Sequence, residues 1–88
     1  IMITFDEASR KVLFLDSSPT DDELIEIYGL YKQSTIGDCN IPKPYFWQVK
    51  EMYKWNSWNS FTGISKDDAK KQYIILYLKL KDKYGCSK

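Results

Sequence analysis

The chain has 88 residues, of which 43% are hydrophobic, 16% aromatic and 28% charged, and its formal net charge is +1. So short a chain cannot assemble a second hydrophobic core, so we expect one packed domain over residues 1–88, and the composition excludes a disordered protein. The near-neutral charge argues against a general nucleic-acid binder, which is usually strongly basic.

Targeting signals are absent from the printed sequence. No apolar run approaches the roughly 20 residues that span a bilayer, and the N-terminus has no basic segment followed by an apolar one. We therefore expect a cytoplasmic protein that neither spans a membrane nor is secreted. In that compartment Cys39 and Cys86 are expected to remain thiols.

Several features of common catalytic sites are missing. The chain has no histidine, the side chain most used for proton transfer near neutral pH. Its four glycines are isolated, so no phosphate-binding glycine loop is present. Two distant cysteines without histidine do not make a typical zinc site. We expect a binding protein with no cofactor and no metal, not an enzyme.

The first predicted helix covers residues 5–15. Thr4 and Glu7 have the spacing of a capping box, in which each side chain accepts a hydrogen bond from the other residue's backbone N–H. Asp16 begins a polar segment ending in Pro19, which stops the helix. Apolar residues at three- and four-residue steps form the face expected to be buried, namely Phe5, Ala8, Val12 and Leu15.

The second predicted helix covers residues 21–36. Thr20 and Glu23 repeat the capping signature, and Gly37 fits a left-handed residue that ends the helix. Gly29 in the helix interior is unfavourable by about 1 kcal/mol relative to Ala. A close contact with another helix or with a ligand would explain this glycine.

Two prolines, Pro42 and Pro44, predict an extended connection over residues 38–45. A third helix is predicted over residues 49–61 and ends before Gly63.

The fourth predicted helix covers residues 66–84. Ser65 and Asp68 supply its N-terminal cap, and Gly85 closes it. Residues 73–78 are β-prone by composition but lie inside this capped helical frame. The residues expected to face the core are Tyr73, Ile74, Tyr77 and Leu80, with Leu76 and Leu78 beside them. The chain is therefore predicted to be all-α with four helices.

Two short stretches place lysines beside aromatic rings at helical spacing. In the second helix one stripe is formed by Leu24, Tyr28, Tyr31 and Thr35. Lys32 lies on the edge of that stripe. In the third helix Trp55 and Trp58 share a face, and Lys54 lies at its rim. Flat rings with ammonium groups suit a ligand that carries both phosphates and a nucleobase.

At these residues the chain resembles the acyl-CoA-binding protein family. The family signature, Tyr-x-x-Tyr-Lys-Gln-(Ala/Ser)-Thr-x-Gly-Asp followed by Lys-Trp-x-x-Trp, is matched at residues 28–38 and 54–58. Further similarity extends through residues 63–69 and 73–74 to residues 83–85. The resemblance implies an up-down-down-up four-helix bundle with an open ligand-binding bowl on one side and with the first and fourth helices in contact.

The ligand that this resemblance implies is a medium- to long-chain acyl-CoA. Tyr31 matches the family tyrosine on which adenine stacks. The positions that surround the ribose 3′-phosphate are matched by Tyr28, Lys32, Lys54 and Tyr73. Lys50 matches a further position near the ligand, and Gly29 and Leu30 belong to the same motif. Candidate contacts to the acyl tail are Leu24, Met52 and Leu13.

The chain departs from the family pattern at the edges of this site. Leu13 stands where a lysine is usual, and Ser18 occupies another position that is commonly basic. Residues 45–53 are far more aromatic than the small, polar segment of the family. This segment indicates either altered loop and helix packing or a reshaped groove for the acyl tail.

The leading hypothesis is that the protein is an intracellular pool former and carrier of acyl-CoA esters and performs no chemistry. We expect it to be a monomer that contacts membranes or enzymes transiently. A nucleotide or RNA binder is a second class, because tyrosines and lysines also suit bases and phosphates. A third class is a protein-interaction bundle that keeps the scaffold with weakened ligand binding. Leu13 and residues 45–53 are the features that support this third class.

Overall fold

The computed structural model describes residues 3–87; residues 1–2 and 88 of the predicted domain lie outside this range. Within it the chain forms helices and no strand. The helices are α1 (Phe5–Lys11), α2 (Asp21–Thr35), α3 (Val49–Ser60) and α4 (Lys66–Tyr84). Helix α2 packs against both α3 and α4, and α1 packs against α4. The predicted all-α four-helix class and the contact of the first and fourth helices are confirmed.

The end of the first helix was predicted incorrectly. The α-helix stops at Lys11, Val12–Phe14 form a 3₁₀ turn, and Leu15 is extended with ψ 141°. A 3₁₀ turn has three residues per turn, so it stacks Val12 and Leu15 on one side. Both side chains pack against the core as expected, but a tighter turn brings them there.

Local capping explains where the helices begin. The Thr4 hydroxyl accepts a hydrogen bond from the Glu7 N–H at 3.1 Å, and the predicted capping box of Thr20 and Glu23 is present in full. Ser65 caps α4 by accepting from the Asp68 N–H at 3.1 Å. These side chains accept hydrogen bonds from backbone N–H groups of the first turn, which have no partner within the helix.

The helices end close to the predicted positions. Helix α2 ends one residue early, at Thr35, and Gly37 adopts the expected positive φ of 102°. Helix α3 also ends one residue early, at Ser60, and α4 has the predicted bounds.

The core lies where α1, α2 and α4 meet. Its buried cluster consists of Ala8, Leu30, Tyr73 and Tyr77. Partly buried residues that pack around it include Phe5, Val12, Leu15, Ile74, Leu76 and Leu78. Tyr73, Tyr77 and Leu80 are all buried on α4, which confirms the predicted inward row of that helix.

Gly29 is a point of close approach between α2 and α3. A Cβ at this position would lie 2.8 Å from the carbonyl carbon of Ser57 and 2.9 Å from the ring of Phe61, and it would also collide with the Ser57 hydroxyl. That hydroxyl donates a hydrogen bond to the Ile25 carbonyl at 2.7 Å. The structure therefore explains the glycine by a helix contact.

Several polar residues of the family signature hold the scaffold together. The Gln33 amide is fully buried and donates to the Asp38 carboxylate at 2.9 Å and to the Ile64 carbonyl at 2.7 Å. Asp38 also accepts from the Gly63 N–H at 2.9 Å, and these bonds lower the pKa of its carboxyl. The network ties the end of α2 to the turn between α3 and α4.

The C-terminal segment is fastened to the connection between α1 and α2. The Asp16 carboxylate accepts hydrogen bonds from the Ser87 N–H and hydroxyl, and the Asp16 N–H donates to the Gly85 carbonyl at 2.9 Å. Cys39 and Cys86 do not form a disulfide in this structure.

Candidate functional site

Tyr28 of α2 lies between two lysines. The Lys32 Nζ is 5.8 Å from the centroid of the Tyr28 ring, and the Lys54 Nζ of α3 is 5.5 Å from the same centroid. Both distances lie within the range of a cation–π contact. Among residues 3–87 neither lysine forms an ion pair with a carboxylate. Two ammonium groups thus flank one phenol with their charge uncompensated.

The packing of α2 against α3 creates this arrangement. Lys32 follows Tyr28 by one helical turn, so the two side chains share a face of α2. Lys54 comes from α3, which the close approach at Gly29 holds beside that face. The Lys32 Nζ also lies 5.6 Å from the ring centroid of the buried Trp58, whose indole N–H donates to the Gly37 carbonyl at 2.7 Å.

A second aromatic group joins α1, α2 and α4. The ring centroids of Phe5 and Tyr31 are 5.9 Å apart with the ring planes inclined by 25°, and Tyr73 meets Phe5 edge-on at 5.0 Å. Tyr31 and Tyr73 are 6.2 Å apart. Tyr73 is buried, whereas Tyr31 is exposed. The Tyr31 ring is therefore available for stacking by a flat ligand group.

Lys70 is a candidate site residue that the sequence analysis missed. Its Nζ lies 5.7 Å from the ring centroid of Phe5, at the edge of the aromatic group. Within the described range it has no carboxylate partner. The signal that could have found it is its position three residues before Tyr73, which places both residues on one face of α4.

The hydroxyl of Tyr73 stays protonated at physiological pH. Burial, with a smaller effect of the neighbouring Tyr31, raises the pKa of Tyr73 to about 12. A protonated phenol can donate a hydrogen bond to an anion, whereas a phenolate cannot.

Two cavities open beside Lys54. The first, of about 590 Å³, is bounded by Tyr28 and Lys54 and by the connection that runs from Ile41 to Tyr45. The second, of about 570 Å³, is lined by three predicted site residues, Leu24, Lys50 and Lys54. The remaining walls of the second cavity are Asp21, Asp22, Ile25, Val49 and Tyr53. Lys54 therefore lies between a cavity beside Tyr28 and one whose walls are both apolar and charged.

Other predicted site residues lie elsewhere. Leu30 is only 2% exposed and belongs to the core, and Gly29 is buried against α3. Leu13 is 79% exposed and borders a separate cavity of about 440 Å³. Met52 is half-buried and lines neither cavity beside Lys54. A ligand contact by any of these four residues stays a prediction.

Residues 3–87 contain no group of three or more histidine, cysteine, aspartate or glutamate residues placed to hold a metal ion. None of the helices in this range is long and apolar enough to cross a membrane.

Comparison with known proteins identifies the family. The family model described as Acyl CoA binding protein matches residues 2–77. The chain is 51% identical over 84 residues to the acyl-CoA-binding protein of Dictyostelium discoideum, covering 96% of this chain and 100% of the relative. It is 44% identical over 81 residues to that of Saccharomyces cerevisiae, covering 92% and 93%.

Solved structures agree with this assignment. The crystal structure of Oryza sativa Acyl-CoA-Binding Protein 2 matches with a TM-score of 0.85 and 32% identity, covering 90% of this chain and 86% of that one. The solution structure of the yeast acyl coenzyme A binding protein matches with a TM-score of 0.73 and 43% identity, covering 92% and 94%. The chain therefore belongs to the acyl-CoA-binding protein family, as its signature residues predicted.

Proposed function

We propose that this protein binds medium- to long-chain acyl-CoA esters and acts as an intracellular pool former and carrier that performs no chemistry. The observation that carries the proposal is the position of Tyr28 between the unpaired ammonium groups of Lys32 and Lys54. This arrangement occurs in a chain whose relatives are named for acyl-CoA binding.

The coenzyme A end of the ligand is assigned to the face of α2. Lys32 and Lys54 supply positive charge for the ribose 3′-phosphate. A lysine binds phosphate as a point charge without bidentate geometry, so several groups are needed to position it. Tyr28 and Tyr73 add hydroxyl donors. Adenine stacks on the exposed ring of Tyr31, a contact of about 1–3 kcal/mol by analogy with other base–aromatic stacks.

The acyl tail is assigned to the cavity of about 570 Å³ beside Lys54, which Leu24 and Lys50 line. This cavity adjoins the proposed phosphate position because Lys54 also borders it. Each methylene that leaves water contributes about 0.8 kcal/mol, so four more carbons add up to about 3 kcal/mol while apolar wall remains. Affinity should therefore rise with chain length and then level off.

Calorimetric titration tests the proposal. Coenzyme A and its octanoyl, dodecanoyl, hexadecanoyl and eicosanoyl esters are compared at constant salt, with free palmitate as a control. The proposal predicts that the esters bind more tightly than coenzyme A and that palmitate binds weakly. Recovery of intact thioester after incubation checks that no chemistry occurs. Failure of every ester to bind would overturn the proposal.

We place this activity in the cytoplasm and assign it to a monomer. Cys39 and Cys86 form no disulfide, which suits a reducing compartment. Transfer of the ester to membranes or enzymes would then occur through transient contacts. Sedimentation analysis at several concentrations tests the monomeric state.

A further inference from the structure

The connection between α2 and α3 exposes three consecutive aromatic side chains. Tyr45 is 66% exposed, Phe46 83% and Trp47 64%. None of them belongs to the buried core cluster or to the residues packed on it. We call Tyr45, Phe46 and Trp47 the aromatic tip. Large apolar side chains gathered on a surface commonly mark a place of interaction.

The aromatic tip is ordered by its own contacts. The rings of Tyr45 and Trp47 are stacked with centroids 4.7 Å apart and an interplanar angle of 2°, and Phe46 meets Trp47 edge-on at 5.2 Å. Gln48 closes the turn, because its N–H donates to the Tyr45 carbonyl at 2.9 Å and its side chain accepts from the Tyr45 N–H at 3.0 Å. The tip is thus held in one arrangement before any partner binds, which reduces the entropy lost on docking.

Basic residues flank the aromatic tip on both sides. Lys43 precedes it and Lys50 follows it, both are exposed, and neither forms an ion pair with any residue that the structure describes. Lys54 lies one helical turn beyond Lys50. The acidic side chain nearest in sequence is Glu51, which borders the same cavity as Lys43 and Lys54. Asp21 and Asp22 of α2 line the cavity beside Lys50.

We propose that the aromatic tip docks this protein onto anionic lipid bilayers. Phe46 enters the region below the headgroups, and Tyr45 and Trp47 lie at headgroup level, where aromatic rings with a polar group are favoured. Lys43 and Lys50 lie against anionic headgroups, which attract basic residues near the surface.

The size of the aromatic tip favours a lipid surface over a protein partner. A stable protein interface buries about 800 Å² on each side and some 20–30 residues. Three adjacent side chains on one turn provide far less, whereas a bilayer needs only apolar groups at the correct depth and basic groups above them.

Docking through the tip would also orient the candidate ligand site. Lys43 and Tyr45 border the cavity of about 590 Å³ that contains Tyr28 and Lys54. That cavity would therefore open close to the lipid surface. The proposal does not require acyl-CoA binding, because docking is measured with unliganded protein, so either proposal can fail alone.

The test is flotation with vesicles of phosphatidylcholine, alone or mixed with phosphatidylserine. We expect the wild-type protein to float with the mixed vesicles. The affinity of the double variant Phe46→Ser, Trp47→Ser for these vesicles should fall by about tenfold or more, which corresponds to about 1.4 kcal/mol. The matched control is Ile75→Ser on α4, where Ile75 is 54% exposed, and it should bind like wild type. Far-ultraviolet circular dichroism verifies folding of each variant.

Two further readouts test how deeply the aromatic tip enters the bilayer and whether its flanking lysines contribute to binding. Tryptophan emission should shift to shorter wavelength when mixed vesicles are added, and Trp47→Phe should remove the shift. Lys43→Gln and Lys50→Gln should each weaken binding to mixed vesicles by about fivefold, which corresponds to about 1 kcal/mol for one lysine near an anionic surface.

Three results would overturn the proposal. The wild-type protein fails to float with mixed vesicles, or the double variant floats as well as wild type. Alternatively, sedimentation reveals a dimer that the double variant abolishes, which would assign the tip to a second copy of the chain. If the double variant floats as well as wild type but loses affinity for acyl-CoA, the tip is assigned to the ligand.

Discussion

The Lys54 ammonium lies 5.5 Å from the centre of the Tyr28 ring, although the two residues belong to different helices. Their proximity depends on the tight contact of α2 and α3 at Gly29, where Ser57 and Phe61 leave no room for a side chain. Scaffold and site are therefore coupled, and changes at this helix contact should affect both stability and ligand binding.

Gly29→Ala is the direct test of this coupling. Overpacking costs about 1–3 kcal/mol, while the better helix propensity of alanine offsets about 1 kcal/mol. We expect the free energy of unfolding to fall by up to about 2 kcal/mol in urea denaturation. Affinity for hexadecanoyl-CoA should fall as well, because α3 must move away from α2. Glu26→Ala, at an exposed position on the same helix, is the control. Equal stability and equal ligand affinity of the two variants would contradict this explanation.

The two tryptophans of α3 should differ in their contribution to stability. The buried Trp58 donates to the Gly37 carbonyl at 2.7 Å, whereas the more accessible Trp55 donates to the Ile41 carbonyl at 2.9 Å. Trp58→Phe leaves the partly buried Gly37 carbonyl without its partner, so we expect stability to fall by about 1–3 kcal/mol. Trp55→Phe should lower the stability less, because water can replace the indole N–H as the hydrogen-bond donor to the exposed Ile41 carbonyl. Thermal denaturation compares the two, and a larger loss for Trp55→Phe would refute the account.

Stability should depend on pH through Glu23. Hydrogen bonds from Tyr84, from Thr20 and from Lys83 lower the pKa of its carboxyl from 4.5 to about 2. A depressed folded-state pKa contributes stability that is complete above pH 4.5 and is lost as pH falls towards 2. Urea denaturation from pH 6 to about pH 2 should therefore give a flatter profile for Glu23→Gln than for wild type. Glu26→Gln on the same helix is the control; superimposable profiles for wild type and Glu23→Gln would exclude this role.

Stacking on Tyr31 should contribute measurably to ligand affinity. Tyr31→Ala removes the exposed ring, and we expect affinity for hexadecanoyl-CoA to fall by about 1–3 kcal/mol. Tyr31→Phe keeps the aromatic face and should retain most of the affinity. Calorimetry of the three proteins measures the difference, and Tyr31→Ala binding as tightly as wild type would place adenine elsewhere.

The sequence predicted most helix boundaries because these depend on residues close in the chain. The caps of Thr20 and Ser65 act within one helical turn, and the bounds of α4 were predicted without error. The end of α1 was mispredicted because Val12 and Leu15 reach the core through a 3₁₀ turn, and the period of the apolar pattern does not separate the two helix types there.

The sequence was less informative about groups assembled from several helices. Lys70 was missed because its partner, Phe5, lies on α1, more than sixty residues away in the chain. For the aromatic segment of residues 45–53, the sequence left two interpretations open, altered loop and helix packing or a reshaped groove for the acyl tail. The rings of Tyr45 and Trp47 stack on one another at the surface and are not part of the core, an outcome that depends on tertiary packing.

Titration of wild type, Lys32→Ala and Lys54→Ala with hexadecanoyl-CoA and its 3′-dephospho form tests the central claim most directly. Lys79→Ala, an exposed lysine of α4, is the control. We expect each site variant to lose at least about 1 kcal/mol with hexadecanoyl-CoA, and less with the ligand that lacks the 3′-phosphate. Unchanged affinity of both site variants for hexadecanoyl-CoA would contradict the assignment of the ligand phosphate to the lysines beside Tyr28.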